Sequence, residues 1–284
     1  MQAVHDLHAH TTASDGSLTP TALVEHAARC GDQVLAVTDH DITAGLEEAQ
    51  QAANMQGIEL IRGIEISVTW AHQTIHVVGL HIDPDSRILQ QGLAKLHAFR
   101  SWRAEEIARR LDKARIPGSL AGARAYAGGK IISRTHFAHW LVAQGYAKNM
   151  KQVFKRYLVH NKPGFVPGQW ASLEEALHWI HAAGGMAVLA HPARYRLSSQ
   201  RLHQLLREFR ELGGIGLEVV SGSHSQGDIL RFAQLAEDYA YYASRGSDYH
   251  GPENAYADPA SLSALPANCR PIWTHERWVN AARP

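Results

Sequence analysis

Short apolar runs alternate with amphipathic patterns along most of this chain, and most of the runs carry a histidine or a carboxylate at or near their end. "AVHDLH", "QVLAVTDH", "IELIRGIEISV", "TIHVVGLHI", "GMAVLAHP", "GIGLEVVSG" and "YYASRGSDYHG" read as seven strands, with helical patterns between or before most of them. That order points to an α/β fold built on a parallel sheet or barrel. Thr19 with Pro20 behind it reads as a cap and first helical residue, and Gly31 closes that helix. Thr43 reads as the cap of a helix running to Gly57. Only "TWAHQ" separates the third and fourth strands, which suggests a hairpin-like excursion.

The rhythm breaks between about Ser86 and Trp170. No strand pattern occurs there, and helical patterns appear in "ILQQGLAKLHAFRSWRAEEIARRLDKARI", "SRTHFAHWLVAQG" and "NMKQVFKRYLV". The segment is rich in Arg and Lys and is punctuated at Pro117–Gly118, Gly128–Gly129 and Pro163–Gly164. It reads as a helical insertion capping an active site. The division expected is a barrel domain from 1–85 and 171–284, with a cap from 86–170. Hydrophobic residues at 45% and charged residues at 19% suit an ordinary soluble globule, and a net charge of +1 excludes a globally basic nucleic-acid binder. Two cysteines build no disulfide framework, no apolar run reaches membrane-spanning length, and no basic-then-apolar leader is present. A cytoplasmic protein without an obligate protein partner is expected.

The outlying count is 19 histidines. His8 and His10 close the first strand two apart, on one face by period-two alternation, and Asp15 follows in the loop. Asp6 is expected on the same face. His40 closes the second strand, Glu65 lies near the end of the third, and His76 sits on the fourth. His191, then Asp248 and His250, close two later strands. In an α/β barrel, C-terminal strand ends converge on one rim. Six imidazoles and three carboxylates would then meet, and divalent cations are the natural way to satisfy such a set. A lone His-x-His at a strand end is ordinarily a partly exposed pair; the joint pattern carries the inference. The absence of thiolates there excludes a closed structural zinc site. Two or three ions are expected, manganese first, with zinc or iron as alternatives.

"DLHAHTTASDG", "LAVTDHD", "GIEIS", "AHP" and "GSDYHG" resemble, in order and from end to end, the successive motifs of the PHP (polymerase and histidinol phosphatase) superfamily. The resemblance implies a distorted (β/α)7 barrel with a di- or trinuclear centre. It implies that His8, His10, Glu65 and Asp248 hold one metal and that Glu65 bridges to a second held with His76 and His191. Asp15, His40 and His250 would hold a third. The helical insertion and the "ISR" of Ile132–Arg134 resemble a subgroup that removes the 3′-phosphate of nucleoside 3′,5′-bisphosphates to leave 5′-mononucleotides. Some members are 5′-to-3′ exoribonucleases on short RNA.

Three divalent ions against three carboxylates and one hydroxide leave a positive site, which favours a phosphate dianion over a neutral amide. The expected reaction is attack of a metal-activated hydroxide on phosphorus. A metal-bound water, Asp15 and His224 are candidates for the leaving group's proton. Ser133 and Arg134 fall at a helix start suited to a second phosphate, with Lys130 close by. Arg194 and Tyr195 follow His191 and should overhang the rim, Lys162 returns toward the cleft from the insertion, and Trp170 reads equally as a group stacking on a base or as core. The resemblance implies that Ser133, Arg134 and Arg194 recognise the 5′-phosphate of a nucleotide or short oligoribonucleotide. Rival readings are a histidinol-phosphate phosphatase, a non-catalytic nucleotide- or metal-binding module, and a polymerase-associated auxiliary domain.

Overall fold

The computed structural model describes residues 3–127, 131–252 and 258–281. One seven-stranded sheet runs in sequence order: β1 (His5–Ala9), β2 (Val34–Val37), β3 (Glu59–Trp70), β4 (Gln73–Leu80), β5 (Met186–Leu189), β6 (Gly216–Ser221) and β7 (Tyr242–Gly246). Its edges meet where Asp248 N donates to His8 O (2.8 Å) and His10 N to Tyr249 O (2.9 Å), nearly closing an α/β barrel. The helices α1 (Pro20–Cys30), α2 (Leu46–Gln56), α7 (Leu173–Ala182), α8 (Ser199–Glu211) and α9 (Gln226–Asp238) surround it.

The barrel is distorted because β4 runs antiparallel to both neighbours. The turn before it is tighter than the five residues expected. β3 continues through Trp70, and only Ala71 and His72 make the bend, both left-handed (φ 46° and 66°). Two residues cannot hold a crossover helix, so the strand must double back. This reversal brings the N-terminal half of β4, with His76 opposite Ser67, to the rim where the parallel strands end.

Alternation sorts the side chains into two apolar clusters. Leu35 and Val37 of β2 and Ala187 and Leu189 of β5 face the helices, packing with Leu23, Ala49, Leu177, Phe209 and Phe232. Val34, Ala36, Met186 and Val188 face inward with Leu7, Ile61, Val78 and Leu80, and fill the barrel below the rim. Each buried Val, Leu, Ile, Met or Phe among them contributes about 1.5–3 kcal/mol. β1 breaks the alternation. Asp6 pairs with Leu35 but Ala9 with Val37, so β1 carries one extra residue there. Asp6 therefore does not share the face of His8 and His10; it braces the β1–β7 seam, accepting from Ser247 N at 2.8 Å.

Thr19 caps α1, accepting from Ala22 N, and Gly31 ends it at φ 88°. Thr43 does not cap α2. That helix starts after Gly45 without a side-chain cap, and the Thr43 hydroxyl accepts from Gln90 Nε2 instead. Between β4 and β5 lie α3 (Arg87–Lys113), α4 (Ser119–Ala127), α5 (Arg134–Ala143), α6 (Met150–Val153) and a π turn over Phe154–Leu158. α3 spans roughly 40 Å. Its first half packs Leu89, Leu93 and Leu96 on the barrel. Its second half packs Ala104, Ile107 and Leu111 into a separate cluster with Phe137, Leu141, Val153 and Leu158. Arg100 and Arg103 lie at the changeover.

Candidate metal centre and active site

Glu65 is the hub of the rim. Its carboxylate lies within 3.3 Å of nitrogens from five histidines: His8 (3.3 Å), His10 (3.3 Å), His40 (2.8 Å), His76 (2.9 Å) and His191 (3.0 Å). Asp248 Oδ1 adds contacts to His10 (3.3 Å), His8 (3.5 Å) and His250 (3.6 Å). Asp15 Oδ1 is 3.4 Å from His250 and 3.9 Å from His40. All nine residues singled out as ligands thus gather at one end of the barrel. They fall into sets whose donor atoms lie within 4.8 Å of one another: His8, Glu65, His191 and Asp248; His40, Glu65 and His76; His10, Asp15, His40 and His250. His10 and His191 are thereby grouped differently from the implied allocation, although His10 Nε2 also reaches Glu65 and Asp248.

The backbone is bent to make this possible. His191, Asp248 and Asp41 adopt left-handed conformations (φ 26°, 55° and 56°), each costing on the order of 1–3 kcal/mol. The site itself holds them: His191 N donates to Glu218 Oε2 (2.5 Å), Asp248 N to His8 O, and Asp41 N to Glu65 O (2.9 Å). Gly246 leaves the room, because a Cβ there would stand 2.3 Å from His8 Cβ and 2.7 Å from Glu218 Oε1.

Burial alone would raise the Glu65 pKa, but the imidazoles of His40, His76 and His8 hold its carboxyl well below the carboxylate range. Asp248 is held low against burial by Arg194 and His250, and Asp15 by His40 and His250. Against the burial that disfavours its charge, His10 is raised to about 10 by bonds to Asp248 and Glu65. Burial, then Arg194, pushes His191 down to about 4.

Several donor atoms are left over. His10 Nδ1, Asp15 Oδ1, His40 Nδ1, Glu65 Oε2 and His191 Nδ1 are buried without a hydrogen-bond partner among the described residues. Two pairs of imidazole nitrogens face each other, His8 with His10 at 3.1 Å and His76 with His191 at 3.4 Å. Lone pairs converging from imidazole and carboxylate, with no sulfur among them, fit divalent cations.

A cavity of about 200 Å³ opens over Asp15, His40, His76 and His250, and its other walls carry Arg100, Arg103, Arg134 and Arg194. Ser133, Thr135, Phe154 and Trp170 complete it. Ser133 caps α5, accepting from Thr135 N, and Thr135 Oγ1 donates to Asp15 Oδ2 (3.0 Å). Arg134 lies over Phe154 and makes no side-chain hydrogen bond to the described residues; burial, then Arg100, lowers its pKa. Arg194 pairs with Asp248. Trp170 packs under Arg100 and Arg103, 4.8 and 5.1 Å from its ring, so it supports guanidiniums in the cavity wall.

Three residues expected in the site do not line this cavity. The Tyr195 hydroxyl is taken up by backbone, accepting from His76 N (2.8 Å) and donating to Ala190 O (2.8 Å), so it pins β4 to the end of β5. His224 stacks on Phe232 and shares a hydrogen bond with Val219 O; it does not line the cavity. Lys162 is exposed and does not line it either. Lys130 lies outside the described residues.

Sequence reasoning missed Glu218, Arg100, Arg103 and Asp41. Glu218 binds His8 Nδ1 (3.0 Å) as well as His191 N. Its signal is a lone carboxylate inside the fully buried strand β6. Arg100 pairs with the buried Asp41 and donates to Ser67 Oγ (3.1 Å), while Asp41 accepts from Ser67 N (2.7 Å). The signal for both arginines is their place on the apolar face of α3.

A family model for the PHP domain matches residues 6–222. The chain is 46% identical over 269 residues to a 3′,5′-nucleoside bisphosphate phosphatase of Chromobacterium violaceum, covering 94% of each. It is 43% identical over 272 residues to the 5′-3′ exoribonuclease Rnm of Escherichia coli, covering 95% of this chain and 92% of the relative. Among solved structures, a putative metal-dependent phosphoesterase from Bifidobacterium adolescentis superposes with TM-score 0.83 at 27% identity, over 100% of this chain and 98% of that one. An amidohydrolase from Chromobacterium violaceum, solved with bound sulfate and no metal, superposes with TM-score 0.92 at 46% identity, over 95% of both chains.

Proposed function

Because the chain belongs to the PHP domain family and is a hydrolase of phosphoric esters, we propose that it removes the 3′-phosphate of nucleoside 3′,5′-bisphosphates to give 5′-mononucleotides, and that it trims short 5′-phosphorylated RNA from the 5′ end. The observation that carries this reading is the shared cavity, with metal-ligand donors on one wall and four arginines on the others. A substrate with one phosphate fills only the first wall. A substrate with two engages both.

Divalent ions, manganese in our reading, would be held by His8, His10, Asp15, His40, Glu65, His76, His191, Asp248 and His250, and would supply an activated water and neutralise the phosphoryl oxygens. The chain's own residues do the rest. Glu218 accepts from His8 Nδ1 and so turns His8 Nε2 toward the cluster. Thr135 ties the start of α5 to Asp15, linking the wall that receives the second phosphate to the reacting end. Arg134, which has no protein acceptor among the described residues, offers its guanidinium to the 5′-phosphate together with Arg100, Ser133 and Arg194. Asp15, held ionised by His40 and His250, has no proton to pass to the leaving oxygen, which leaves a water in the site as the candidate. Residues 86–170 act as the cap in this reading, supported by their own apolar cluster and by the arginines that α3 and α5 send into the cavity. A second cavity of about 570 Å³ shares Arg100 and is lined by Ile42, Leu120 and Ile132, which supports room for a longer chain. Among the described residues no helix is long and apolar enough to cross a membrane. Two free cysteines support a cytoplasmic setting.

Arg134→Ala is expected to lower kcat/KM for a nucleoside 3′,5′-bisphosphate by roughly 10–100-fold, from about 1.5–3 kcal/mol of charge-assisted bonding. Turnover of a nucleoside 3′-monophosphate should hardly change. Equal losses on both substrates would remove the recognition role. Faster turnover of histidinol phosphate than of either nucleotide would favour the rival phosphatase.

A further inference from the structure

Outside the barrel rim, α1 and the segment after β7 bring together a second set of metal-ligating side chains. We propose that His26, Cys30 and Asp258 form a separate structural cation site that takes a thiophilic divalent ion such as zinc. His26 and Cys30 stand four apart on α1, one turn above each other on a single face. Cys30 Sγ is 3.7 Å from His26 Nε2 and 3.7 Å from Asp258 Oδ1, and His26 Nε2 is 3.9 Å from Asp258 Oδ2. Tetrahedral zinc with a sulfur ligand at about 2.3 Å and nitrogen or oxygen at about 2.0–2.1 Å separates its ligand atoms by roughly 3.3–3.6 Å. The two sulfur contacts stand within about 0.2 Å of that spacing, whereas the His26–Asp258 gap exceeds it by about half an ångström and is too long for a hydrogen bond.

An independent observation points the same way. Asp32 is 4% exposed, and its Oδ2 is buried with no hydrogen-bond partner among the described residues. Asp32 follows α1 two residues after Cys30; Asp6 and Arg245 act on it first and Asp258 after them, and its own charge acts on Cys30. Arg245 offsets part of that charge, but burial and then Asp6 still hold Asp32 up at about 7, so a cation at the trio would offset more of it.

Burial, with Asp258 and Asp32 adding, holds the Cys30 thiol above its ordinary pKa. Coordination therefore breaks the S–H bond, forms an S–metal bond and releases the proton to solvent, so affinity rises with pH. The ion would join α1 to a segment 228 residues away. It would also lie behind the rim without sharing a ligand with it. The His26 ring stacks on Tyr249 (4.9 Å, 16°), the residue between Asp248 and His250.

The rim contains no sulfur, so a thiolate signature belongs to this site alone. The test is titration of metal-free protein with cobalt(II), reading the near-ultraviolet sulfur-to-cobalt charge-transfer band. The expected result is a band that saturates with one equivalent bound at this site, disappears in Cys30→Ser, and persists in Cys269→Ser and in Asp248→Ala. His26→Ala and Asp258→Asn should each weaken the band-forming affinity at least about 10-fold. Folded wild-type protein that never develops the band, or a band that survives Cys30→Ser, overturns the proposal.

Discussion

Glu218 shows how a single buried carboxylate sets a rim it does not itself complete. One oxygen accepts from His8 Nδ1 and the other from the backbone of His191, a residue held left-handed. Glu218→Gln keeps the volume but replaces one acceptor with a donor, so one of the two bonds must fail. The expected outcome is a 10–100-fold loss of manganese affinity with a comparable loss of kcat. Metal titration checks it, and affinity unchanged from wild type would show that Glu218 does not orient His8. The nine rim residues were legible because strand-end spacing and family motifs coincide on them. Glu218 was not, since an isolated Glu in an apolar strand has no spacing partner. Asp6 was misplaced for a different reason. Face parity along β1 holds only until a bulge, and a bulge of one residue leaves no compositional mark. Tyr195 was expected to overhang the rim because it follows His191, but its hydroxyl is taken up by the main-chain N–H of His76 and carbonyl of Ala190.

The β3–β4 hairpin is the element that turns a parallel plan into this barrel, and it does so with poorly suited residues. Ala71 and His72 both occupy the left-handed region, where L-residues lose about 1–2 kcal/mol relative to the right-handed one. Asn and Gly are the residues a two-residue bend of this hand prefers. Both side chains are exposed and far along the hairpin from Glu65. The double variant Ala71→Asn/His72→Gly is therefore expected to gain about 1 kcal/mol, or roughly 2–4 °C in Tm, with kcat unchanged. Thermal melts and a rate assay check it; a lower Tm would mean the turn is not strained as described. The strands and the flanking helices were readable from periodicity and caps. α4 was not, because Pro117–Gly118 and Gly128–Gly129 read as punctuation on either side of it. In the fold Gly122 is a packing residue: a Cβ there would stand 2.1 Å from the Trp140 ring of α5.

At the scale of the whole molecule, stability depends on groups that burial keeps out of their preferred charge state. His81, just after β4, packs edge-on against Trp278 of the C-terminal helix α10 (Glu276–Ala281). Burial alone lowers its pKa to about 4, from an ordinary value near 6.5. The folded chain thus binds fewer protons than the unfolded one between those values. This contribution is fully present above about pH 6.5 and is lost on acidification toward pH 4. With the ring partly exposed, about 1–2 kcal/mol is expected over that window, and His81→Leu should flatten this part of the stability–pH curve. An unchanged slope would assign the acid sensitivity elsewhere.

The rim works in the opposite sense, because its like-charged groups are close together in a site that water barely reaches. Asp15, Glu65 and Asp248 are at most 7% exposed, and six imidazoles cannot all be protonated beside one another. Cations that bind the folded rim and not the unfolded chain stabilise it by mass action, by about 2.7 kcal/mol at 100-fold excess over Kd. After chelation, added manganese should therefore raise Tm by roughly 5–10 °C. Manganese is a hard ion that binds thiolate poorly, so the shift should persist in Cys30→Ser and vanish in Asp248→Ala. A melt that manganese leaves unmoved in wild type would mean that the ligands gathered from β1 to β7 do not bind manganese. The closure of the barrel would then rest on the chain's own bonds across the β1–β7 seam, among them Asp248 N to His8 O, His10 N to Tyr249 O and Ser247 N to Asp6.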